Sequence, residues 1–428
     1  MEGKIFQLAS LAGVLMSASH TFAAGETVLY RFQGGNDGQN PQFGVVRDPA
    51  GNLYGTTEYG GDGDCSLPNA TGCGTVFRLS PAAEPGGAWT ETVLYSFQGG
   101  LDGGAPGGLL IDQAGNLYGT TYSGGPNTCD VLYNCGTVFK LSHPSSGAGA
   151  AWTKTVLYNF QGGEDGFGPG ASLVADGQGN LYGTTNWGGP AACPDCGTVF
   201  ELSPASAGWV HTAIYNFQPF PATGSIGDGQ VPFGVTFDGQ GNLYGATKSG
   251  GYCQRFEGGF CFGTVFELSP PGSGTGTAWS ESVLYRFVPT NGGPSSNVVV
   301  DQAGAIYGAA GNAVYQLVNG ELHTLYSFKN TVLVAEGVIL GPGSRLFGVA
   351  GGGTYGDGAI FELQPTQGGG SLTETTLYNF AGSPDGNLPN VPVLGSDGAL
   401  YGTTWRGGTQ GCQYYGSVGC GTLFRVVP

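Results

Sequence analysis

Asn116-Leu117-Tyr118-Gly119-Thr120-Thr121, followed by Gly136-Thr137-Val138-Phe139 and then by Leu157-Tyr158-Asn159-Phe160, forms a three-phrase pattern that returns along the whole chain. The Asn-Leu-Tyr-Gly phrase starts again at Asn52, Asn180 and Asn242. It decays to Ala305-Ile306-Tyr307-Gly308 and Arg345-Leu346-Phe347-Gly348, then recovers at Ala399-Leu400-Tyr401-Gly402. Gly-Thr-Val-Phe starts at Gly74, Gly197 and Gly263, with variants at Ala313, Gly358 and Gly421. The Leu-Tyr-x-Phe phrase ends at Phe32, Phe97, Phe217, Phe287, Phe328 and Phe380 as well. Each phrase therefore occurs seven times. Self-similarity of this kind means one supersecondary unit stacked many times.

Each phrase reads as a strand. In Val93-Leu94-Tyr95-Ser96-Phe97 the residues Val93, Tyr95 and Phe97 share one face, a period of two. A further strand precedes Asn-Leu-Tyr-Gly, as in Gly108-Leu109-Leu110-Ile111. It is joined by the turn Asp112-Gln113-Ala114-Gly115-Asn116, where Gly supplies positive φ and Asp binds the turn backbone. Four antiparallel strands in each repeat of roughly 60 residues predict an all-β, single seven-bladed β-propeller over residues 25–428. An open β-solenoid fits less well, because its coils are shorter and need capping units. The chain opens on a phrase that elsewhere ends a unit and stops at Gly421 to Val427, a third strand without its fourth. The N-terminal strand is thus expected to complete the last blade and remove the unpaired edges. One face then collects the Gly-Gly-x-Asp-Gly loops and the cysteine loops, and the opposite face the short Asp-x-x-Gly-Asn turns.

Units ending Gly-Thr-Val-Phe-x-Leu-Ser, preceded by Asn-Leu-Tyr-Gly-Thr-Thr and followed by Val-Leu-Tyr-x-Phe, resemble the GloVer tandem-repeat family, the choice-of-anchor proteins of bacteria. The resemblance covers residue 26 to the end. It implies an exported, propeller-like protein and brings no catalytic residues with it. Members of that family often end in a surface-sorting segment, whereas this sequence ends Val427-Pro428. The Asp-x-x-Gly-Asn-Leu-Tyr turn is similar in chemistry to the blade turns of NHL and gluconolactonase-type propellers.

Composition narrows the function classes. Thirteen basic against 30 acidic residues give a net charge of -17, which repels nucleic-acid backbones and anionic membranes. Residues 1–24 read as a signal peptide: Lys4, an apolar run from Ile5 to Met16, and small residues to Ala23-Ala24. No other run is long enough to span a membrane. A secreted or periplasmic monomer is expected. The ten cysteines agree with export, since they fall as near neighbours between the second and third phrases: Cys65/Cys73, Cys129/Cys135, Cys193/Cys196, Cys253/Cys261 and Cys412/Cys420. Loop-closing disulfides of an oxidising compartment are expected. Cys193-Pro194-Asp195-Cys196 has redox spacing, yet it occupies the position of the longer bridged loops and has no second ligand pair nearby.

Two sets of residues are candidates for binding. Asp37, Asp102, Asp165, Asp228 and Asp385 recur in the Gly-Gly-x-Asp-Gly position, where they form either a carboxylate ring for Ca²⁺ or local turn caps. Tyr59, Tyr122, Trp187 and Trp405 follow the second strand, where they either stack on a glycan or pack against the disulfide loops. His143, His211 and His323 lie in different repeats and make no triad or metal centre. No nucleophile elbow and no phosphate loop occurs. No catalytic residue and no cofactor is assigned, calcium excepted. The expected function is a non-enzymatic module binding a glycan or protein on the disulfide-loop face. The alternative is an extracellular carbohydrate- or lactone-active enzyme using carboxylates at the channel mouth.

Overall fold

The computed structural model describes residues 25–428 except segments 68–69, 85, 130–133, 145–150, 219–226, 254–260, 273–277, 330–333, 367–371 and 415–416. The segment 1–24, read as a signal peptide, lies outside the described residues. Each repeat folds into an antiparallel sheet whose strands lie side by side in chain order. Blade 1 runs outward from Val46–Arg47 through Leu53–Thr57 and Thr75–Ser80 to Thr90–Ser96. Blades 2 to 6 follow the same order, and blade 7 ends differently. Its third strand, Thr422–Val427, pairs on the outside with Gly25–Arg31, Thr27 opposite Arg425 and Arg31 opposite Thr422. The molecule is a seven-bladed β-propeller sealed by its N-terminal strand, as the permuted phrases predict. No α-helix occurs among the described residues.

The phrases recur because each supplies one part of a blade-to-blade joint. The phenylalanine ending an outermost strand meets, edge to face, an aromatic ring on the third strand of the next blade. Phe97 meets Phe139 at 5.2 Å, and Phe32 meets Phe77 at 5.1 Å across the seam. Blade 5 substitutes Tyr315, which meets Phe287 at 5.4 Å. Such pairs contribute about 0.5–1.5 kcal/mol beyond their area burial. The glycine of Asn-Leu-Tyr-Gly makes room for that ring: a Cβ on Gly55 would lie 2.5 Å from Phe77 Cζ. The last threonine of the phrase hydrogen-bonds the threonine of Gly-Thr-Val-Phe across the sheet, Thr57 to Thr75 at 2.8 Å, with both residues buried. Blades 5 and 6 lose both partners together, setting Ala310 opposite Ala313 and Ala350 opposite Ala359. Replacing both hydroxyls leaves no buried donor unmatched.

The Asp turns form as expected. Asp112 accepts from the N–H groups of Ala114 and Asn116 at 2.9 and 2.8 Å, and from the Tyr118 hydroxyl at 3.2 Å. Tryptophans at the start of outer strands reach back to the preceding blade: Trp152 meets Tyr54 at 6.2 Å and Trp89 meets Tyr401 at 6.1 Å. Thr403 donates to the Phe43 carbonyl at 2.8 Å, joining the second strand of blade 7 to the segment that leads into the innermost strand of blade 1.

Candidate functional site

The residue directly after the most regular phrase is different in nearly every blade: Glu58, Tyr122, Asn186, Lys248, Gly311, Gly351 and Trp405. The first four of these line one cavity of about 360 Å³. Its remaining wall comes from the starts of the innermost strands, including Gln42, Phe43, Ala105, Val231 and Phe233. Innermost strands surround the axis of a propeller, and the chain leaves every second strand on the disulfide-loop face. The cavity is therefore the channel mouth on that face, spanning blades 1 to 4.

The backbone around the mouth is held in an uncommon conformation. Asn40, Ala105, Val231 and Leu388 have φ of 58°, 50°, 55° and 56°, each directly before a proline, and Gly168 before Pro169 has φ of 65°. For β-branched Val231 this region costs on the order of 1–3 kcal/mol and needs the surroundings to enforce it. The enforcing bond comes from the preceding blade's cysteine loop. Ala105 N–H donates to the Cys73 carbonyl at 2.9 Å, Gly168 to Cys135 at 3.0 Å, and Val231 to Cys196 at 2.9 Å. Asn40 donates to Cys420 at 2.8 Å, whereas Leu388 finds Asp357 in place of a cysteine. The bridges Cys65–Cys73, Cys129–Cys135, Cys193–Cys196 and Cys412–Cys420 are formed. Cys261 is disulfide-bonded too, and the backbone register sets Cys253 opposite it, although the Cys253 side chain lies outside the described residues.

Glu58 is the carboxylate of the cavity. Its Oε1 accepts from the Tyr59 hydroxyl at 2.5 Å and its Oε2 from the Gln42 amide. Burial pushes its carboxyl above the usual range, against hydrogen bonds from Tyr59, Trp405 and Gln42 and the Arg406 charge, which pull it down. Arg406 lies 4.0 Å over the Trp405 ring. On the other side, Tyr122 lines the cavity and its hydroxyl accepts from Trp187 Nε1 at 2.9 Å. The four candidate aromatics thus gather in two groups, Tyr59 with Trp405 around Glu58, and Trp187 behind Tyr122.

The five aspartates stand elsewhere. Asp102 accepts from the Tyr95 hydroxyl at 2.7 Å and the Gln98 N–H at 2.8 Å. Asp37 does the same with Tyr30 and Gln33, Asp165 with Tyr158 and Gln161, Asp228 with Tyr215 and Gln218, and Asp385 with Tyr378 and Ala381. Each carboxylate caps its own loop against the outermost strand, and none of the five lines the mouth cavity. Among the described residues no group of three or more His, Cys, Asp or Glu side chains is placed to hold a metal ion. Among the same residues no helix is long and apolar enough to cross a membrane.

Glu58, Lys248, Asn186 and Gln42 went unrecognised as candidates in the sequence. The signal was present for three of them: Glu58, Asn186 and Lys248 break the repeat at one fixed offset from its steadiest phrase, while Gln42 directly follows Pro41 in the segment that leads into the innermost strand. Tyr122 and Trp405 share that offset, whereas Tyr59 and Trp187 sit one residue later.

Fold and cavity together define a seven-bladed propeller with an asymmetric mouth on its disulfide-bearing face. The Gloeobacter/Verrucomicrobia repeat model matches residues 3–252 and 69–315, and the chain belongs to that family. No curated protein sequence matches it. Among solved structures it is similar to virginiamycin B lyase from Staphylococcus aureus, at 12% identity and a TM-score of 0.52 over 95% of this chain and 99% of that one. A gluconolactonase from Xanthomonas campestris matches at 15% identity and a TM-score of 0.42, over 76% and 86% of the two chains. At these identities the likeness is one of fold.

Proposed function

We propose that this is an exported binding module that takes a carbohydrate at the channel mouth on the disulfide-loop face. The observation carrying this reading is that the repeat-breaking residues of four successive blades meet at one cavity. Tyr122, Phe43 and Phe233 offer ring faces for the apolar side of a sugar, and Gln42, Asn186 and Glu58 offer directional partners for hydroxyls. Lys248 adds one exposed cation to an acidic protein.

A glycan array probed with wild type, Tyr122→Ala and Glu58→Gln tests the reading. Specific hits weakened at least about tenfold by either change, equivalent to about 1.4 kcal/mol, are expected. Hits that both variants retain in full refute it. Recovery of the native protein from a culture fraction with an N-terminus near Ala24 is the expected outcome for export.

A second reading rests on Glu58 itself. A carboxyl raised by burial inside a cavity is suited to general acid–base work. Turnover of a bound glycan, abolished in Glu58→Gln while binding persists, would convert the module into an enzyme.

A further inference from the structure

The outermost strands carry a second regularity, at the position four residues before the tyrosine of Leu-Tyr-x-Phe. That position faces the loop aspartate of the preceding blade. In blade 2 it is Lys154, whose ammonium lies 2.8 Å from Asp102 and is almost wholly buried. In blade 3 it is His211, whose Nδ1 lies 2.9 Å from Asp165 and whose ring stacks on Tyr158 at 4.4 Å. In blades 1, 4 and 7 the same position is Glu91, Glu281 and Glu26, so a carboxyl faces a carboxyl: Asp37, Asp228 and Asp385. The Oε1 atoms of all three glutamates are buried without a hydrogen-bond partner. Blades 5 and 6 lack the arrangement, with Leu322 in one and Glu374 accepting from Tyr326 and Thr376 in the other.

We propose that the pairs Glu26 with Asp385, Glu91 with Asp37 and Glu281 with Asp228 form an acid-responsive lock. Each pair holds one proton in the folded ring near neutral pH, so three blade junctions tighten on acidification and loosen as pH rises. The aspartate oxygens already accept from a tyrosine hydroxyl and a backbone N–H, whereas the buried glutamate Oε1 has no partner, so we place the proton of each pair on the glutamate. The other groups facing these glutamates are few. Tyr30 stands by Glu91, Tyr215 and Arg286 by Glu281, and Tyr378 and Arg31 by Glu26. Burial first and the facing aspartate second push each glutamate up to about 7, with Arg31 and Arg286 opposing at two of the sites. An acid whose folded value exceeds its unfolded one binds more protons when folded. Its contribution is therefore complete below the unfolded value of 4.5 and is lost as pH rises through about 7.

The test is thermal unfolding of the intact protein in EDTA between about pH 8 and pH 5. Wild type is expected to melt roughly 5 °C higher at the acidic end. The triple variant Glu26→Gln, Glu91→Gln, Glu281→Gln is expected to lose most of that rise, by gaining stability at the alkaline end. A wild-type melt that is flat or falls on acidification overturns the proposal, as does a triple variant keeping the full rise. Should the triple variant not fold, Glu91→Lys, which reproduces the Lys154 arrangement opposite Asp37, is expected to raise the alkaline melting temperature. A Glu91→Lys protein no more stable than wild type there overturns the proposal. Millimolar calcium chloride at the alkaline end is expected to leave the wild-type melt unchanged. A calcium-dependent rise abolished by the glutamine changes would replace the proton with a cation and overturn the lock.

Discussion

Phe32→Ala tests the seam. Phe32 is fully buried, lies just beyond the closing strand Gly25–Arg31, and contacts Phe77 of blade 1 at 5.1 Å and Tyr30 at 5.4 Å. Truncating a buried phenylalanine costs about 3–5 kcal/mol, because the transfer term is lost and the surrounding backbone cannot collapse into the space. For a ring of roughly 400 residues unfolding cooperatively, the unfolding entropy is roughly 0.8 kcal/mol per kelvin. The melting temperature should therefore fall by about 4–6 °C. Phe97→Ala is the matched control, since Phe97 is equally buried and meets Phe139 at 5.2 Å inside the chain. Differential scanning calorimetry of both variants at one pH is the assay, and near-equal losses are expected. A Phe32→Ala melt within about 1 °C of wild type, with Phe97→Ala showing its full loss, refutes the closure as an energetic element.

Two further outcomes follow from the geometry. Gly55→Ala places a methyl 2.5 Å from Phe77 Cζ, so chemical denaturation should show a loss of about 1–3 kcal/mol or more. Gly239→Ala, whose Cβ meets nothing and whose φ is not in the left-handed region, should cost less, and the difference between the two reports the ring contact. Replacing Cys65 and Cys73 by serine opens a short loop and should cost about 2–3 kcal/mol, read as a lower denaturation midpoint. The same change frees the carbonyl that holds Ala105, so affinity at the mouth should fall even at temperatures where the protein is fully folded.

The blades were legible because their signals are local and repeated. Phe77 and Gly55 recur as a matched set, a glycine with an aromatic ring, in every blade, and Thr57 and Thr75 recur within five of the seven, so the pattern betrays the unit. The closure was legible from the order of phrases alone. The cavity was not, because Glu58, Asn186 and Lys248 lie far apart in sequence and share no chemistry. Only the ring geometry brings them together, and their single common mark is a position where the pattern lapses. The aspartates take the turn-cap role that sequence reading offered beside the carboxylate ring. Asp37, Asp102, Asp165, Asp228 and Asp385 recur conspicuously, yet recurrence marks their tie to the outer-strand tyrosine and leaves them outside the mouth cavity.

The hydrogen bonds from the pre-proline residues to the cysteine carbonyls divide the ring mechanically. The mouth cavity spans blades 1 to 4, and the left-handed residues of all these blades except Gly168 carry side chains, each braced by a covalently closed loop behind it. Blades 5 and 6 have no cysteine in their corresponding loops, have lost their paired threonines, and face no part of the cavity. One arc of the propeller carries the cross-links and lines the proposed binding mouth, and the other, without cysteines in its corresponding loops, is expected to be the more compliant. Rearrangement on ligand binding should accordingly be absorbed by the compliant arc, leaving the shape of the mouth fixed in advance of its occupant.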